Sequence, residues 1–158
     1  MRIHGNFTVS FFGHRQINGF NDVEHKLEDI VENCICENNF VTFLVGRNGE
    51  FDNLVSQTIH KFKKEHDDER ISHELVLPYY TAEYINNSVT FEEYYDDIYV
   101  YDEKYFKSAF DFRNKRMIDE SDLAVFYIEH NYGGAYQAYK YARSKNKKCI
   151  NIFNDKFA

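Results

Sequence analysis

Hydrophobic residues along the chain follow two alternating patterns, one typical of β-strands and one typical of amphipathic helices. Short apolar runs have the length of β-strands, and residues 123–128 are apolar throughout, as in a strand covered on both faces. Between these runs, hydrophobic residues recur at steps of three and four, as in helices that bury one face. The predicted strands are residues 7–12, 40–45, 74–78, 98–101, 123–128 and 149–153.

Four amphipathic helices are predicted between these strands. Asn21 and Glu24 have the spacing of a capping box at the start of the first helix, whose apolar face continues to Ile35. Residues 79–96 are rich in Tyr, Glu and Asn and predict a loop with a short helix. The other predicted helices are residues 51–64, 104–119 and 133–143.

Strands that alternate with helices over about 150 residues predict an α/β fold. We expect one Rossmann-like three-layer domain over residues 1–158, with a mostly parallel sheet of about five to six strands. Ligands of such sheets bind beyond the carboxyl ends of the strands, where the strand order reverses. The loops that follow the strands are therefore the candidate site.

Composition and charge narrow the class of protein. The 158 residues are 43% hydrophobic and 28% charged, and no apolar run approaches a membrane span. Because the N-terminus also lacks the layout of a signal peptide, we expect a cytoplasmic protein without a membrane partner. Three cysteines and scattered histidines predict reduced thiols, with no metal or other cofactor. The net charge of −7 predicts no general nucleic-acid binding, since such binding rests on neutralised phosphates.

Three of the strand-end loops concentrate glycine and arginine. Residues 13–15, 46–52 and 129–134 hold five of the seven glycines, and two of the seven arginines, Arg15 and Arg47, lie there as well. Arginine offers a planar fork that matches phosphate oxygens. Gly133-Gly134 would place free N–H groups at a helix N-terminus, where an anion is favoured, although the pair could also simply form a tight turn. Together the loops favour a phosphate-bearing ligand.

The order of these motifs resembles the SLOG superfamily. The likeness rests on Gly13-His14-Arg15 after a strand, Gly46-x-x-Gly49-x-x-Asp52, Arg113-Asn114-x-x-Met117, and Gly133-Gly134-Ala135. That group unites the DprA/Smf DNA-processing proteins with the Lonely Guy phosphoribohydrolases, and the chain is most similar to its small YpsA-like members. The resemblance implies a Rossmann-like domain that binds a nucleotide or a nucleotide-derived ligand.

The chain departs from the motif of the enzymatic branch, Pro-Gly-Gly-x-Gly-Thr-x-x-Glu. Tyr132 replaces the proline, Tyr136 the third glycine and Lys140 the catalytic glutamate. A lysine has the wrong sign to stabilise positive charge at an anomeric carbon. The sequence therefore favours a binding module over an enzyme, and leaves the catalytic residues unassigned.

The leading hypothesis is a sensor or sequestering module for a small nucleotide-derived ligand. The alternative is a nucleotide N-glycosidase or deoxyribosyltransferase that uses another carboxylate: Asp52, Glu50 or Glu129. A third hypothesis is a regulatory protein that kept the fold and lost the ligand, and a homo-oligomer is compatible with all three. The candidate ligand-binding residues are Gly13, His14, Arg15, Gly46, Arg47, Gly49, Asp52, Arg113, Asn114, Gly133, Gly134 and Tyr136.

Overall fold

A computed structural model describes residues 6–66 and 69–153. Within these residues, six strands form one sheet in the order β4-β3-β2-β1-β5-β6, and each of its five neighbouring pairs is parallel. The predicted Rossmann-like α/β fold is therefore confirmed. The strands are β1 Asn6–Gly13, β2 Phe40–Val45, β3 Ile71–Leu77, β4 Asp97–Val100, β5 Leu123–Tyr127 and β6 Lys148–Asn151.

Helices cover both faces of the sheet and make three layers. The two long helices that follow β1 and β2 pack on one face with the short helices that follow β3, and the last two helices pack on the other. The helices are α1 Phe20–Glu37, α2 Glu50–His66, α3 Ala82–Asn86, α4 Ser88–Tyr94, α5 Ala109–Asp119 and α6 Gly134–Ser144.

The side chains of the central strand β5 alternate between the two hydrophobic cores, one on each face of the sheet. All five of its residues are buried. Leu123, Val125 and Tyr127 join the core beneath α1 and α2, whereas Ala124 and Phe126 join the core beneath α5 and α6. Because successive side chains of a strand point to opposite faces, an uninterrupted apolar run is what a strand inside a three-layer fold requires.

Several element boundaries differ from the predicted ones, each for a local reason. β3 begins at Ile71, not Glu74, because the polar segment Ser72-His73-Glu74 hides its alternating buried positions. α1 begins after Gly19, which adopts the left-handed conformation with φ 68°, so the predicted capping box starts two residues after the actual N-cap. α5 begins at Ala109, and the residues before it form turns. Residues 79–96 contain two short helices, where one was expected.

The strand order places the candidate loops together. β1 lies between β2 and β5, so the chain winds outward from β1 in one direction and later returns to its other side. This reversal opens a crevice at the carboxyl ends of β1 and β5. Within residues 6–66 and 69–153, no helix has both the length and the apolar character needed to cross a bilayer.

Candidate functional site

A cleft of about 870 Å³ lies at the carboxyl ends of the central strands. The loops after β1, β2 and β5 form its walls, together with one face of α5. Nine of the twelve predicted ligand-binding residues line it: Gly13, His14, Arg15, Gly46, Asp52, Arg113, Asn114, Gly133 and Gly134.

One wall of the cleft is the N-terminus of α6. Gly133 has a φ of +94°, a conformation that favours glycine. Apart from the adjoining residues and the nearby helix backbone, an added Cβ at Gly133 or Gly134 would meet no described atom within 4 Å, so the space beside both is open. Arg15 lines the same cleft and is exposed, and its guanidinium makes no hydrogen bond or ion pair within the described part of the chain. The two features together leave a cation and a helix N-terminus available to an anion.

Arg113 forms the buried floor of the cleft and is 6% exposed. Its Nε donates to Asn114 Oδ1 at 3.0 Å, its Nη1 donates to the carbonyl of Val76 at 3.2 Å, and its guanidinium lies 5.3 Å from the Phe110 ring centre. Nη2 has no hydrogen-bond partner among the described residues. Burial lowers the pKa of Arg113, while the nearby Asp52 carboxylate opposes that shift. A guanidinium stays charged in proteins, so the cleft contains a fixed buried cation.

Asp52 lies beside Arg113 and is also buried. Its Oδ2 accepts a hydrogen bond from the backbone N–H of Asn48 at 2.8 Å. Burial raises the pKa of this carboxyl, and Arg113 and the Asn48 N–H act against the rise. A Cβ at Gly46 would come 2.9 Å from Asp52 Oδ2 and 3.0 Å from Arg113 Nη1. Gly46 is thus the residue whose small size lets both charged groups reach the floor.

His14 is held in one orientation and in one tautomer. Its Nε2 accepts hydrogen bonds from the backbone N–H groups of Glu129 and His130, at 3.0 and 3.4 Å. An accepting Nε2 is unprotonated, so the ring is neutral with its proton on Nδ1. Burial lowers the pKa of His14, the neighbouring His130 lowers it further, and Glu129 acts in the opposite direction. At neutral pH His14 is a flat, uncharged ring.

Glu129 presents the second carboxylate of the cleft. Its two oxygens accept hydrogen bonds from Asn18 Nδ2 at 2.7 and 2.8 Å, and the Tyr127 hydroxyl donates to Oε2 at 3.0 Å. These contacts tie the loop after β1 to the end of β5 and fix the carboxylate at the cleft wall. The third candidate carboxylate, Glu50, does not line the cleft and accepts from the backbone N–H of Ile17.

Three predicted site residues, Arg47, Gly49 and Tyr136, do not line the cleft. Arg47 turns toward α3 and α4, where its guanidinium donates to Glu83 Oε1 at 3.1 Å and to the Tyr95 hydroxyl at 3.0 Å. Gly49 packs against the backbone beside it, since an added Cβ would lie 2.5 Å from the Arg15 Cα. Gly49 therefore has a packing role, and the contacts of Arg47 lie outside the cleft.

Tyr136 packs on the core beneath α5 and α6, and the ammonium of Lys140 lies 5.3 Å from its ring centre. Lys140 does not line the cleft either, so it does not occupy the place of a catalytic carboxylate there. The helix turns both side chains away from the open space at its N-terminus.

Several aromatic residues of the cleft were not among the candidate ligand-binding residues drawn from the sequence. Tyr132 and His130, in the loop after β5, and Phe110, on α5, all line the cleft. A signal was present, because Tyr132 directly precedes the Gly133-Gly134 pair that the sequence had already placed at the site. Gly13 also has a structural role, since a Cβ there would lie 2.3 Å from Phe51 Cγ.

Comparisons with known proteins support the fold. No protein-family model matches the sequence, and a search of curated proteins finds no match. Among solved structures, DNA processing protein A from Helicobacter pylori is similar with a TM-score of 0.62 and 16% identity over 90% of this chain. DNA processing protein A from Streptococcus pneumoniae is similar with a TM-score of 0.59 and 10% identity over 94% of this chain. The chain spans 63% and 53% of the lengths of those two proteins.

The comparison corrects one expectation about partners. The Helicobacter pylori protein is described as having a unique single-stranded DNA binding mode. The prediction of no general nucleic-acid binding is therefore wrong. It was drawn from the net charge of −7, whereas phosphate contacts depend on where the cations lie, and here Arg15 and Arg113 both face one cleft. The chain has the Rossmann-like fold of DNA processing protein A.

Proposed function

We propose that the cleft binds a nucleotide or nucleotide-derived molecule through its phosphate, and that the chain acts as a sensor or sequestering module. The observation that carries the proposal is the pairing of Arg15, whose guanidinium has no partner in the described part of the chain, with the open space beside Gly133 and Gly134. A phosphate at this position would accept from the α6 N–H groups and from the Arg15 guanidinium.

The size of the cleft suits this class of ligand. Small-molecule sites usually have volumes of about 300–1,000 Å³, and this cleft has about 870 Å³. The order of the motifs and the fold support membership of the SLOG superfamily, with YpsA-like proteins as the nearest group. We extend the proposal to residues 1–158 as a single nucleotide-binding domain.

Single-stranded DNA is the second candidate ligand, favoured by the fold shared with the Helicobacter pylori protein. A strand is a chain of the same nucleotide units, so one of its phosphates could occupy the proposed position. The two candidates differ in the number of phosphates bound and hence in salt dependence: affinity for a single strand falls steeply with salt in proportion to the phosphates neutralised.

The enzymatic alternative now has two candidate carboxylates inside the cleft, Asp52 and Glu129. Asp52 is buried beside Arg113, and Glu129 is held by Asn18 and Tyr127. Cleavage of a glycosidic bond would need one of them next to the anomeric carbon of a bound nucleotide. Detection of free base from nucleoside monophosphates, in many equivalents per protein, would favour the enzyme over the binding module.

The test compares ligands that share parts of a nucleotide. The protein is titrated at two salt concentrations with adenosine and cytidine monophosphates, with their nucleosides, and with an oligodeoxythymidine of about 20 nucleotides. A ligand at a hundred times its Kd stabilises the fold by about 2.7 kcal/mol, and each kcal/mol raises Tm by about 2–4 °C at this size. We expect the monophosphates to stabilise the protein and the nucleosides to do so far less. Equal stabilisation by nucleosides would contradict the proposal.

Variants locate the ligand within the cleft. Arg15→Ala should weaken binding of the monophosphates by about 10- to 100-fold, because a charge-assisted contact to phosphate is lost. Arg47→Ala is the matched control, since that arginine also follows a strand but is bonded to Glu83 and Tyr95 outside the cleft. Preferential, strongly salt-dependent binding of the oligodeoxythymidine would instead identify single-stranded DNA as the ligand.

A further inference from the structure

Three rings form a continuous stack in the wall of the cleft. The ring centres of His14 and His130 are 3.6 Å apart with 12° between their planes, and those of His130 and Tyr132 are 3.7 Å apart with 15° between their planes. The stack runs from His14, which is 8% exposed, to Tyr132, which is 65% exposed. It therefore begins in the protein interior and ends at the open cleft.

The inner end of the stack cannot easily rotate. The two backbone N–H groups that bond to His14 Nε2 fix its plane, and the Tyr127 ring meets it edge-on at 6.1 Å. The middle ring, His130, has a buried Nδ1 without a hydrogen-bond partner among the described residues. The contacts on either side of His130 are therefore mainly between ring faces. The Tyr132 ring is nearly parallel to His130, which is nearly parallel to the fixed His14 ring.

The outer end of the stack has a free aromatic face. His130 supplies the only ring contact that Tyr132 makes within residues 6–66 and 69–153. Large exposed aromatic side chains are usually surface residues without a role. Tyr132 differs because it lines the cleft and directly precedes Gly133 and Gly134, so its free face lies next to the proposed phosphate position.

We propose that Tyr132 is the platform on which a nucleobase stacks in this cleft, so that the base becomes the fourth ring after His14, His130 and Tyr132. This inference rests on the proposed function. The chemistry recognised is a planar base attached to a phosphorylated sugar, which a free nucleotide and a single strand both supply. Tyr136, the tyrosine expected from sequence at this site, packs on the core instead.

Stacking on Tyr132 has consequences for selectivity. Every nucleobase has an aromatic face, so a platform of this kind tolerates all four bases and adds no affinity for sugar phosphates that lack a base. Because His14 is held neutral and Tyr132 carries no charge, the contact depends on overlap of flat surfaces. Stacking of one base contributes about 1–3 kcal/mol, which corresponds to about 5- to 150-fold in affinity.

The experiment measures binding of adenosine monophosphate, ribose 5-phosphate and a short oligodeoxythymidine to the whole chain and to three variants. Tyr132→Leu removes the ring and keeps apolar bulk, Tyr132→Phe restores the ring, and Tyr80→Leu removes another exposed tyrosine that lies outside the cleft. We expect Tyr132→Leu to weaken adenosine monophosphate about 5- to 150-fold and to leave ribose 5-phosphate within twofold. Tyr132→Phe and Tyr80→Leu should bind both ligands like the unmodified protein.

Each outcome separates the two proposals. Equal affinity of the unmodified protein and Tyr132→Leu for adenosine monophosphate overturns the platform and leaves the phosphate site in place. Equal weakening of both ligands also overturns it, since the ring would then support the phosphate and not the base. Absence of binding by adenosine monophosphate, ribose 5-phosphate and the oligodeoxythymidine overturns the proposed function itself. A larger Tyr132-dependent loss for the oligodeoxythymidine than for the monophosphate supports the platform and assigns it to single strands.

Discussion

The loop after β2 and the loop after β5 both contain glycine and use it in opposite ways. In the β2–α2 loop, residues 46–49, protein atoms already fill the space or take the hydrogen bonds that a ligand would need. Asp52 and Arg113 lie where a Cβ of Gly46 would stand, and the backbone of Arg15 lies where a Cβ of Gly49 would stand. At both of its glycines, this loop is closely packed against other protein atoms.

In the β5–α6 loop, residues 128–133, the space beside the glycine is left open. No described atom comes within 4 Å of a Cβ built on Gly133 or, just after it, on Gly134, and Tyr132 is 65% exposed. The contrast teaches that glycine at the end of a parallel strand indicates close packing or ligand binding equally well. Only the atoms around each residue distinguish the two roles.

The largest effect expected from this comparison concerns two glycines. Gly49→Ala should lower the free energy of unfolding by about 2–4 kcal/mol, because Gly49 has a φ of +134° and its Cβ would lie 2.5 Å from the Arg15 Cα. Gly134→Ala should change it by less than about 1 kcal/mol, since the space is open and alanine suits a helix. Urea denaturation measures both. Similar losses in the two variants would remove the distinction between the loops.

The comparison extends to cations, with Arg47 in the β2–α2 loop and Arg15 in the loop after β1. Arg47→Ala should lower the free energy of unfolding by about 1–2 kcal/mol, because it removes hydrogen bonds to Glu83 and Tyr95 and a contact with the Phe91 ring at 4.5 Å. Arg15→Ala should leave stability within about 0.5 kcal/mol, as for other surface substitutions away from such contacts. A substantial loss of stability in Arg15→Ala, found by the same denaturation, would show that Arg15 is not free.

Lowering the pH should reduce the stability of the fold through His73, a histidine buried beside α2. His73, on β3, is 1% exposed, and its Nε2 lies 3.1 Å from Ser56 Oγ on α2. Burial lowers the pKa of His73 to about 3; His60 and Lys63 lower it too, and Asp96 opposes them. Because this pKa is below that of the unfolded chain, the contribution to stability is complete above about pH 6.5 and is lost as the pH falls toward 3.

Between pH 6.5 and 5, the free energy of unfolding should fall by about 1 kcal/mol per pH unit. Urea denaturation at several pH values measures this slope. His73→Gln, which cannot titrate, is the control and should flatten the slope over this range. An unchanged slope in that variant would assign the acid sensitivity to other groups.

The smallest effect concerns a hydroxyl in the core beneath the cleft. Ser10 on β1 is 0% exposed, and its Oγ has no hydrogen-bond partner among the described residues. Ser10→Ala should therefore be neutral or raise the free energy of unfolding by about 1 kcal/mol. Ser121→Ala is the matched control and should cost about 1 kcal/mol, since the Ser121 hydroxyl donates to the Met117 carbonyl at 2.6 Å. A loss of stability in Ser10→Ala would indicate a partner such as a bound water.

The sequence predicted the fold more completely than the site. The periodicity of apolar residues identified all six strands and the four long helices, because burial on one or both faces leaves a regular pattern. It placed the start of β3 three residues late, since Ser72 and Glu74 are polar although they belong to the strand. It also missed that Gly19, and not Asn21, precedes α1, because a left-handed backbone conformation has no periodic signal.

For the site, the sequence pointed to the edge of the sheet where the cleft lies, and nine of its twelve candidate residues line that cleft. It could not tell Arg15 from Arg47, since both follow a strand and a glycine, and the contacts of Arg47 come from α3 and α4, more than thirty residues away. It likewise chose Tyr136 over Tyr132. The direction of a side chain depends on its position in the turn that begins α6, where a shift of four residues moves it from the cleft to the core.

The sequence alone thus determined which residues lie at the carboxyl ends of the strands, because alternating strands and helices admit few arrangements and the right-handed crossover fixes where the loops gather. The tertiary structure decided which of those residues remain unsatisfied. Whether Arg15 keeps a free guanidinium, or Gly133 an open space beside it, depends on groups distant in sequence that meet only when the sheet and its two helical layers have assembled.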